Sequence, residues 1–425
     1  MIETIYELYK KAYTITTDSR NISKDCIFVA LKGEHFDAND FALKVAEEGV
    51  AAGVIADKAD LPKHERLFVV EDSLKCLQEL AKYHREQLGL PIIGITGTNG
   101  KTTTKELVSA VLSKKYNIIY TQGNFNNQLG VPLTLLRIKP GTEMAVVEMG
   151  ASHQGDINEL TNLGEPNFGM ITNIGRAHLR DFGGYEGVIK TKNEMYQYIA
   201  AHNGLLFVNK DNELLMGLAN NINKVTYGNG NNADIQGKML SANPYLSVEW
   251  NGHKIDTQLV GDYNFENVMA AICIGTYFKV AANDIVEALS NYCPTNNRSQ
   301  VIETGKNRVV MDAYNANPTS MSLAIKNFRN ICKNDNLLIL GDMRELGKES
   351  EQEHKMIIEL LKELKFKHVY LVGSEFSKCS ENSDYTSFMN VEELAQYLNN
   401  NPVSGLDILV KGSNSIHLNK IIDSL

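Results

Sequence analysis

A glycine-rich segment in the first third of the chain carries the residue types that a nucleotide phosphate needs. Residues 92–105 read IIGITGTNGKTTTK, so an apolar run leads through glycines to Lys101 and Thr102. Backbone N–H groups of such a loop point at phosphate oxygens, and the N-terminus of the following helix adds partial positive charge. The lysine supplies a point charge, and the next hydroxyl can ligate Mg²⁺. The predicted nucleotide contacts are Gly97, Thr98, Asn99, Gly100, Lys101, Thr102 and Thr103.

The spacing of this segment departs from the common phosphate-loop template, because Ile95 stands where that template has a glycine. An ordinary glycine-rich turn is therefore the alternative. The flanking sequence favours the phosphate loop. Residues 91–96 have the composition of a short buried strand, and apolar residues recur at helical spacing after Lys101.

An acidic residue ends a later apolar run. Glu148 follows MAVV, and ligand sites in α/β sheets gather at the carboxyl ends of strands. A carboxylate there could share Mg²⁺ with the Thr102 hydroxyl and with phosphate oxygens. The alternative is a solvent-facing acid at a strand end.

A lysine interrupts the apolar stripe of a predicted helix at residues 187–199, GVIKTKNEMYQYI. The stripe consists of Val188, Ile189, Met195, Tyr196 and Ile199. Lys192 falls inside it and Lys190 falls on the opposite face. The Lys192 amine either extends to solvent, which the pattern alone favours, or is buried, which lowers its pKa and exposes a neutral nucleophile. A neutral amine can capture CO₂ as a carbamate, an anion able to bind a hard metal. His178, after the strand GMITNIG, is a second candidate, although a lone histidine is more often structural.

Further polar residues lie at predicted strand ends or helix starts in the second half of the chain. Asn267, in GDYNFENVMAA, could contact an adenine edge or could cap a helix. Arg298 lies near a predicted domain junction, where a surface arginine is the alternative. The segment MDAYNANPTSM predicts a strand, a polar loop and a helix that begins at Pro318. We expect ligand contact from its polar residues Asp312, Tyr314, Asn315 and Asn317.

Composition excludes several classes of protein. The chain has 425 residues, too many for one typical core, and no uninterrupted apolar stretch long enough to predict a membrane span. A net charge of −9 argues against general nucleic-acid binding. Six cysteines are scattered without CxxC spacing, and the N-terminus lacks the pattern of a signal peptide. We therefore expect a cytoplasmic protein with reduced thiols.

The order of predicted elements indicates an α/β fold in three regions, residues 1–88, 89–294 and 295–425. The first alternates short strands with helices and ends with a helix at residues 73–88. The second begins with the phosphate-loop strand and has near-continuous apolar strands, typical of a parallel sheet covered on both faces. A hairpin around Asn251-Gly252 predicts a small antiparallel addition to it. The third region predicts a second, Rossmann-like α/β unit with four strands and no phosphate loop.

Taken in order, these motifs resemble the Mur ligase family, ATP-dependent enzymes that form amide bonds in peptidoglycan precursor synthesis. The segments that carry the resemblance span nearly the whole chain: GTNGKTT, GNFNNQLGVPLT, VVEMGASHQGDI, HLRDFGGYEGVIKTKNE, GDYNFENVMAA, NNRSQ, DAYNANPTSM and LGDMRELG. The last two look like those of members that join D-alanyl-D-alanine to UDP-N-acetylmuramoyl-tripeptide. TDSRNISKDCIFVALKGEHFDANDF resembles the family's uridine-nucleotide domain. A sister ligase that adds an earlier amino acid, and an ATPase switch that does not ligate, are the alternatives.

The resemblance implies a monomer with three domains, which bind the UDP-sugar, ATP and the incoming dipeptide in chain order. It implies that ATP phosphorylates the tripeptide carboxylate and that the dipeptide amine attacks the acyl phosphate. Lys101 would hold the β- and γ-phosphates, Thr102 and Glu148 one Mg²⁺, and His178 with carbamylated Lys192 a second. Asn267 would contact adenine, while Arg298 and Asp312 would reach ATP across the domain junction. Asn315 would lie by the reacting ends, and the implied substrate contacts are Ser19, Arg20, Lys32, Asp37, Asn124, Asn126, Tyr314 and Asn317.

Three positions depart from the usual family pattern. Asn39 replaces a histidine in the FDGH motif, which here reads FDAN. Gln128 stands where a histidine is frequent, and Asn414 stands where a late motif has arginine. The third residue of the acceptor tripeptide, meso-diaminopimelate or L-lysine, is not specified by these motifs.

Overall fold

The computed structural model describes residues 1–176, 179–230, 232–295, 298–332, 335–381 and 383–425. Three β-sheets follow one another along the chain, each with helices against it. The predicted α/β fold with three domains is confirmed. The boundaries at residues 88 and 294 stay predictions. No helix of the described residues is long and apolar enough to cross a membrane.

The first domain contains a four-stranded parallel sheet in the order β1-β2-β3-β4. Its strands are β1 (Ile15–Thr16), β2 (Ile27–Val29), β3 (Gly53–Ala56) and β4 (Leu67–Val69). Its helices are α1 (Ile2–Tyr9), α2 (Ala42–Glu48) and α3 (Ser73–Leu88), with a 3₁₀ helix at Ala38–Phe41. Helix α3 has the predicted bounds because Asp72 caps its start and Gly89, with φ of 60°, ends it.

The central domain is built on a nine-stranded sheet in the order β13-β12-β11-β10-β9-β8-β5-β7-β6. The strands are β5 (Ile92–Thr96), β6 (Ile118–Tyr120), β7 (Met144–Glu148), β8 (Phe168–Ile171), β9 (Leu205–Asn209), β10 (Lys224–Gly228), β11 (Ile235–Ser241), β12 (Ser247–Trp250) and β13 (His253–Asp256). The helices are α4 (Lys101–Leu112), α5 (Gly130–Leu135), α6 (Asp156–Gly164), α7 (Leu179–Phe182), α8 (Tyr185–Ala201), α9 (Glu213–Leu218), α10 (Asn264–Tyr277) and α11 (Ala282–Asn291).

The predicted hairpin of the central domain is confirmed. Strands β12 and β13 pair antiparallel, and Asn251 and Gly252 between them have positive φ angles of 49° and 75°. Two positive φ angles match the twist of the flanking strands, which is why an Asn-Gly pair is favoured there. The hairpin joins the parallel strands through β11, which pairs parallel with β10 and antiparallel with β12.

The third domain has a six-stranded sheet in the order β14-β15-β19-β16-β17-β18. The strands are β14 (Gln300–Glu303), β15 (Arg308–Asp312), β16 (Asn336–Gly341), β17 (Val369–Val372), β18 (Thr386–Phe388) and β19 (Asp407–Lys411). The helices are α12 (Pro318–Ile331), α13 (Ser350–Glu363), α14 (Ser374–Cys379) and α15 (Val391–Asn400), with 3₁₀ helices at Gly347–Glu349, Asn414–Ile416 and Leu418–Ser424. The prediction of four strands was wrong, because β14 and β18 are short, partly exposed edge strands without an apolar run.

A tyrosine–histidine cluster joins the first domain to the central one. His84 on α3 is fully buried, its Nδ1 meets the Tyr6 hydroxyl at 3.1 Å and its Nε2 meets the Ile138 carbonyl at 3.0 Å. The Tyr9 hydroxyl donates to the Leu136 carbonyl at 2.6 Å. These bonds fix the neutral imidazole, with Nε2 as donor and Nδ1 as acceptor. Helices α1 and α3 thereby share one hydrophobic core with the central sheet.

Candidate functional site

A large polar cleft lies between the central and third domains, where strands of both sheets end. Its volume is about 790 Å³. The central domain contributes the phosphate-loop residues, Asn126, Glu148 and Asn267, and the third domain contributes Arg298, Asp312, Tyr314 and Asn315. Most residues predicted for ATP and the reacting groups therefore meet in one place. This arrangement follows from two parallel sheets whose strand carboxyl ends face each other.

The phosphate loop connects β5 to α4 and needs glycine at two positions. Gly97 and Gly100 have φ angles of 143° and 78°, which L side chains rarely adopt. A Cβ at Gly97 would collide with the Thr172 hydroxyl. That hydroxyl donates to the Asn99 carbonyl at 2.6 Å, and the Asn99 N–H donates to Asn173 Oδ1 at 3.0 Å. The residues that follow β8 therefore fix the conformation of the phosphate loop before α4 begins.

Lys101 is the first residue of α4 and lies across the loop. Its Nζ donates to the Gly97 carbonyl at 2.8 Å and to the Thr98 carbonyl at 3.0 Å. Burial lowers the pKa of Lys101, with Glu148 opposing the shift and Arg298 adding to it. These two carbonyl contacts hold a cation where the loop N–H groups converge.

Thr102 and Glu148 meet as the sequence predicted. Thr102 Oγ1 donates to Glu148 Oε1 at 3.2 Å, and Asn126 Nδ2 donates to the same oxygen at 2.7 Å. The second carboxylate oxygen, Glu148 Oε2, is buried and accepts no hydrogen bond from any described residue. A buried carboxylate oxygen without a partner beside a hydroxyl fits a hard divalent cation such as Mg²⁺.

Lys192 is buried on α8, with 3% of its surface exposed, so the alternative in which its amine extends to solvent is wrong. Burial is the main cause that lowers the pKa of Lys192 to about 7, and the positive charge of Lys101 adds to the effect. Its Nζ lies 5.6 Å from the Phe182 ring centroid, and the negative charges of Asp156 and Glu194 oppose the lowering of its pKa. Lys190 is exposed, as predicted. His178 lies outside the described residues.

Asn267 reaches the cleft from α10 and is already hydrogen bonded on both sides of its amide. Its Oδ1 accepts from the Thr104 hydroxyl at 3.0 Å, and its Nδ2 donates to Asn264 Oδ1 at 2.9 Å. A Cβ at Gly100 would lie 2.7 Å from Asn267 Oδ1. The amide therefore packs directly against the phosphate loop, and contact with adenine stays a prediction.

The wall from the third domain combines cations with aromatic and amide groups. The Arg298 guanidinium stacks on the Tyr314 ring at 3.9 Å, and Arg298 Nε is buried without a partner in the described part of the chain. Asp312 Oδ2 accepts from Lys411 Nζ at 2.6 Å, so this carboxylate is paired within its own domain. Sequence reasoning missed Lys411 as a site residue, and its place at the carboxyl end of β19 was the available signal.

Asn317 and Asn315 lie at the start of α12. Asn317 Oδ1 caps the helix by accepting from the Ser320 N–H at 2.9 Å, and Asn317 Nδ2 donates to Asn99 Oδ1 at 2.8 Å. Asn315 is exposed in the cleft, and its Oδ1 accepts from the Ala316 N–H at 2.8 Å. The structure thus gives Asn317 two contacts within the protein, one as a cap and one to the phosphate loop.

Tyr263, Ser299 and Thr319 also line the cleft and were missed from the sequence. The Tyr263 hydroxyl and Ser299 Oγ lie 2.8 Å apart, which links the two walls. All three lie inside segments that carry the family resemblance, but their residue types alone did not mark them as site residues.

Four predicted substrate contacts lie in the first domain, away from this cleft. Arg20 follows β1 and pairs with Asp18 through Nε at 2.9 Å. Lys32 follows β2, and its backbone forms an isolated antiparallel β-bridge with the backbone of Asp37. Hydrogen bonds from Asn39 lower the pKa of the Asp37 carboxyl. Ser19 is half-buried beside Arg20. All four lie beyond the carboxyl ends of neighbouring parallel strands, where a ligand of the first domain could bind.

The positions that depart from the family pattern have local contacts. Asn39 is buried, and its Nδ2 donates to Asp37 Oδ1 at 2.8 Å and to Asp57 Oδ1 at 2.7 Å. Gln128 Nε2 donates to Asp156 Oδ1 at 3.1 Å. Asn414 is exposed and begins a 3₁₀ helix.

Asn124 is exposed and does not line the cleft among the described residues. Substrate contact by Asn124 stays a prediction, while Asn126 lines the cleft and donates to Glu148 Oε1.

Comparisons with known proteins cover almost the whole chain. The Mur ligase middle domain matches residues 95–275, and the Mur ligase glutamate ligase domain matches residues 297–414. UDP-N-acetylmuramoyl-tripeptide--D-alanyl-D-alanine ligases of Bacillus subtilis (strain 168) and Escherichia coli (strain K12) are 35% and 32% identical. Each alignment spans 97% of this chain, with 92% and 93% of the relatives.

Solved structures agree with these relatives. MurF from Acinetobacter baumannii has a TM-score of 0.85 at 30% identity, over 96% of this chain and 92% of that one. MurF ligase from Thermotoga maritima in complex with ADP has a TM-score of 0.84 at 26% identity, over 97% and 96%.

Proposed function

Because the chain belongs to the Mur ligase family, we propose that it joins D-alanyl-D-alanine to UDP-N-acetylmuramoyl-tripeptide in a reaction driven by ATP. The reaction forms a carbon–nitrogen bond, releases ADP and phosphate, and gives the UDP-linked pentapeptide used for peptidoglycan. Relatives named for this activity align with 97% of the chain. Since ATP and UDP-linked peptides are cytoplasmic metabolites, we expect the reaction to take place in the cytoplasm.

The observation that carries the proposal is that two domains line one cleft. One wall holds the phosphate loop, Thr102 and Glu148, which are the groups needed to bind ATP with a divalent cation. The other wall adds Tyr314 and Asn315, which an ATPase does not need. A ligase needs both walls, because its amine must reach a carboxylate that has just been phosphorylated.

In the first step, the γ-phosphate of ATP must meet the tripeptide carboxylate, and both groups are anionic. Lys101 and the N-terminus of α4 bring positive charge to the phosphates, and Arg298 brings it from the opposite wall. Thr102 and Glu148 would hold Mg²⁺, which would stabilise the negative charge on the transferring phosphoryl group. Glu148 Oε2, which has no hydrogen-bond partner in the described part of the chain, supports this assignment.

In the second step, the neutral amine of the dipeptide attacks the acyl phosphate. The new C–N bond forms, phosphate leaves with the electrons of the C–O bond, and the amine loses a proton to solvent or phosphate. Tyr314, Asn315 and Asn317 would orient the dipeptide, while Ser19, Arg20, Lys32 and Asp37 would bind the uridine nucleotide in the first domain. Asn267 would contact adenine, and Asp312, held by Lys411, would reach ATP.

Lys192 would act as a carbamate. The ammonium first releases one proton, the neutral amine then attacks CO₂, and an N–C bond forms as one C–O π bond of CO₂ opens. The nitrogen loses a second proton to solvent, so that a cation becomes a two-oxygen anion. The pKa of about 7 supports this step, because a sizeable fraction of the amine is then neutral near neutral pH. The carbamate and His178 would hold a second Mg²⁺.

A coupled assay of ADP formation tests the proposed function. We expect turnover only when UDP-N-acetylmuramoyl-tripeptide and D-alanyl-D-alanine are both present, with pentapeptide detected by mass spectrometry. Full turnover with D-alanine in place of the dipeptide would overturn the assignment. ADP formation without either substrate at the same rate would indicate the ATPase switch instead.

A further inference from the structure

We propose that Lys105 is a positioning residue for the metal-binding carboxylate of Glu148, and that it acts through Thr121. This inference rests on the proposed function, because it takes Glu148 to be a ligand of the divalent cation. Nothing in the phosphate-loop motif requires a lysine at this place. The role follows from a chain of hydrogen bonds beneath the cleft.

Lys105 lies one helical turn after Lys101 but does not reach the cleft. Its side chain is fully buried, which is rare for lysine. Nζ donates to the Thr121 carbonyl at 2.6 Å and to Glu106 Oε1 at 2.7 Å, and it lies 5.4 Å from the Tyr120 ring centroid. The amine therefore ties α4 to the residue that immediately follows β6.

Thr121 in turn fixes the backbone of Glu148. The Thr121 N–H donates to the Val146 carbonyl at 3.0 Å, and the Glu148 N–H donates to Thr121 Oγ1 at 2.9 Å. Thr121 thus extends the pairing of β6 with β7 as far as Glu148, the last residue of β7. A shift of Thr121 would be transmitted to the Glu148 N–H directly.

The loop that starts at Thr121 returns to the same carboxylate. Asn126 Nδ2 donates to Glu148 Oε1, and the Asn126 carbonyl accepts from the Gly150 N–H, both at 2.7 Å. Glu148 is therefore held at its N–H by Thr121 and at its side chain by Asn126. Lys105 anchors the first residue of the loop that provides both contacts.

Stability alone does not account for a charged residue here. A buried ion pair usually contributes little net stability, and an apolar residue of similar volume is often as stable. Methionine has nearly the length of lysine and would fill the same space without an amine. What methionine cannot provide is a cation that donates to the Thr121 carbonyl.

The test measures metal binding separately from turnover. Mn²⁺, detected by electron paramagnetic resonance, serves as the probe in the presence of ADP. We expect Lys105→Met to weaken Mn²⁺ binding about 10- to 100-fold, the usual effect of losing a group that orients a metal ligand. Lys105→Arg should recover part of the affinity. Lys115→Met is the matched control, because Lys115 Nζ, like Lys105 Nζ, donates to main-chain carbonyl oxygen, here of Phe278 and Lys279, but on the exposed surface.

A double-variant cycle tests the route through Thr121. Thr121→Val removes the hydroxyl that accepts from the Glu148 N–H, and we expect Lys105→Met/Thr121→Val to bind Mn²⁺ no more weakly than the weaker single variant. If the two losses of Mn²⁺ affinity multiply in the double variant, the inference is overturned. Wild-type Mn²⁺ affinity in folded Lys105→Met would overturn it as well. If Lys105→Met does not fold, Mn²⁺ affinity is measured for Lys105→Gln and Thr121→Val instead. Wild-type affinity in both variants would then overturn the inference. Mn²⁺ affinity does not depend on which amine is ligated, so a wild-type protein that rejects D-alanyl-D-alanine would refute the proposed substrate and leave this test intact.

Discussion

Asn317 Nδ2 donates a hydrogen bond of 2.8 Å to Asn99 Oδ1, so the residue that caps α12 in the third domain touches the phosphate loop of the central domain. The two residues are 218 positions apart in the chain. Asn99 is also held by Thr172 and Asn173 at the end of β8. The contact therefore connects the ATP side of the cleft with the side proposed for the dipeptide.

Substitutions at Asn317 separate its two contacts. Asn317→Asp keeps an oxygen that can accept from the Ser320 N–H but removes the donor to Asn99. We expect unchanged thermal stability and a loss of turnover of about tenfold, equivalent to about 1.4 kcal/mol. Asn317→Ala loses the cap as well and should also lower stability by about 1 kcal/mol. Unfolding temperature and kcat are measured for both variants. Equal turnover of wild type and Asn317→Asp would contradict a role for the contact.

Thr102 should be needed for the divalent cation more than for folding. Thr102→Ala removes the hydroxyl beside Glu148, so we expect a higher Mg²⁺ concentration at half-maximal rate. Thr102→Ser retains the hydroxyl and should stay close to wild type. An Mg²⁺ titration at saturating ATP measures the effect. Overlapping titration curves for Thr102→Ala and wild type would argue against a ligand role.

Lys192→Ala should abolish ligation, and added bicarbonate should not restore it, because the amine that captures CO₂ is gone. Lys190→Ala is the matched control, since Lys190 lies on the exposed face of the same helix. Only the neutral amine reacts with CO₂, and the pKa of Lys192 is about 7, so wild type should regain activity faster from CO₂-free buffer at pH 8 than at pH 6. Normal activity of Lys192→Ala at ambient CO₂ would refute the carbamate.

His84 should make stability depend on pH. Burial lowers the pKa of His84 below its usual value of about 6.5, so the unfolded chain binds a proton that the folded protein does not. Stability from this site is complete above pH 6.5 and is lost as pH falls towards the lowered pKa, by at most about 1.4 kcal/mol per pH unit. Urea midpoints at pH 7.5 and 5.5 should therefore differ more for wild type than for His84→Gln. Equal differences would exclude this histidine as the cause.

Local sequence patterns predicted much of the fold, because helix caps, terminal glycines and apolar runs act on residues close to them in the chain. Helix α3 was predicted with its observed bounds, since its cap and terminal glycine lie next to it in sequence. The phosphate loop and Glu148 were predicted because each follows a strand end. For Lys192 the apolar stripe alone favoured an amine that extends to solvent, and only the family resemblance turned the preference to the carbamate. Strands β14 and β18 were missed because edge strands with partly exposed residues carry no apolar run.

Long-range partners could not be predicted from one sequence. Lys411 pairs with Asp312 across 99 positions, and the Tyr6 hydroxyl meets His84 across 78. Lys411 and Asp312 face each other because β15 and β19 are neighbours in one sheet, and no local residue pattern encodes which strands become neighbours. For the same reason the motif alone could not distinguish Asn126, which reaches Glu148, from the exposed Asn124.

The shared cleft has a consequence for inhibitors. Its two walls come from sheets with separate hydrophobic cores, so a molecule that contacts only one wall should raise the melting temperature of one domain. A molecule that contacts both Lys101 and Tyr314 would link the two domains non-covalently while it is bound. It should make both domains melt in a single cooperative transition, which gives a simple screen for bisubstrate compounds.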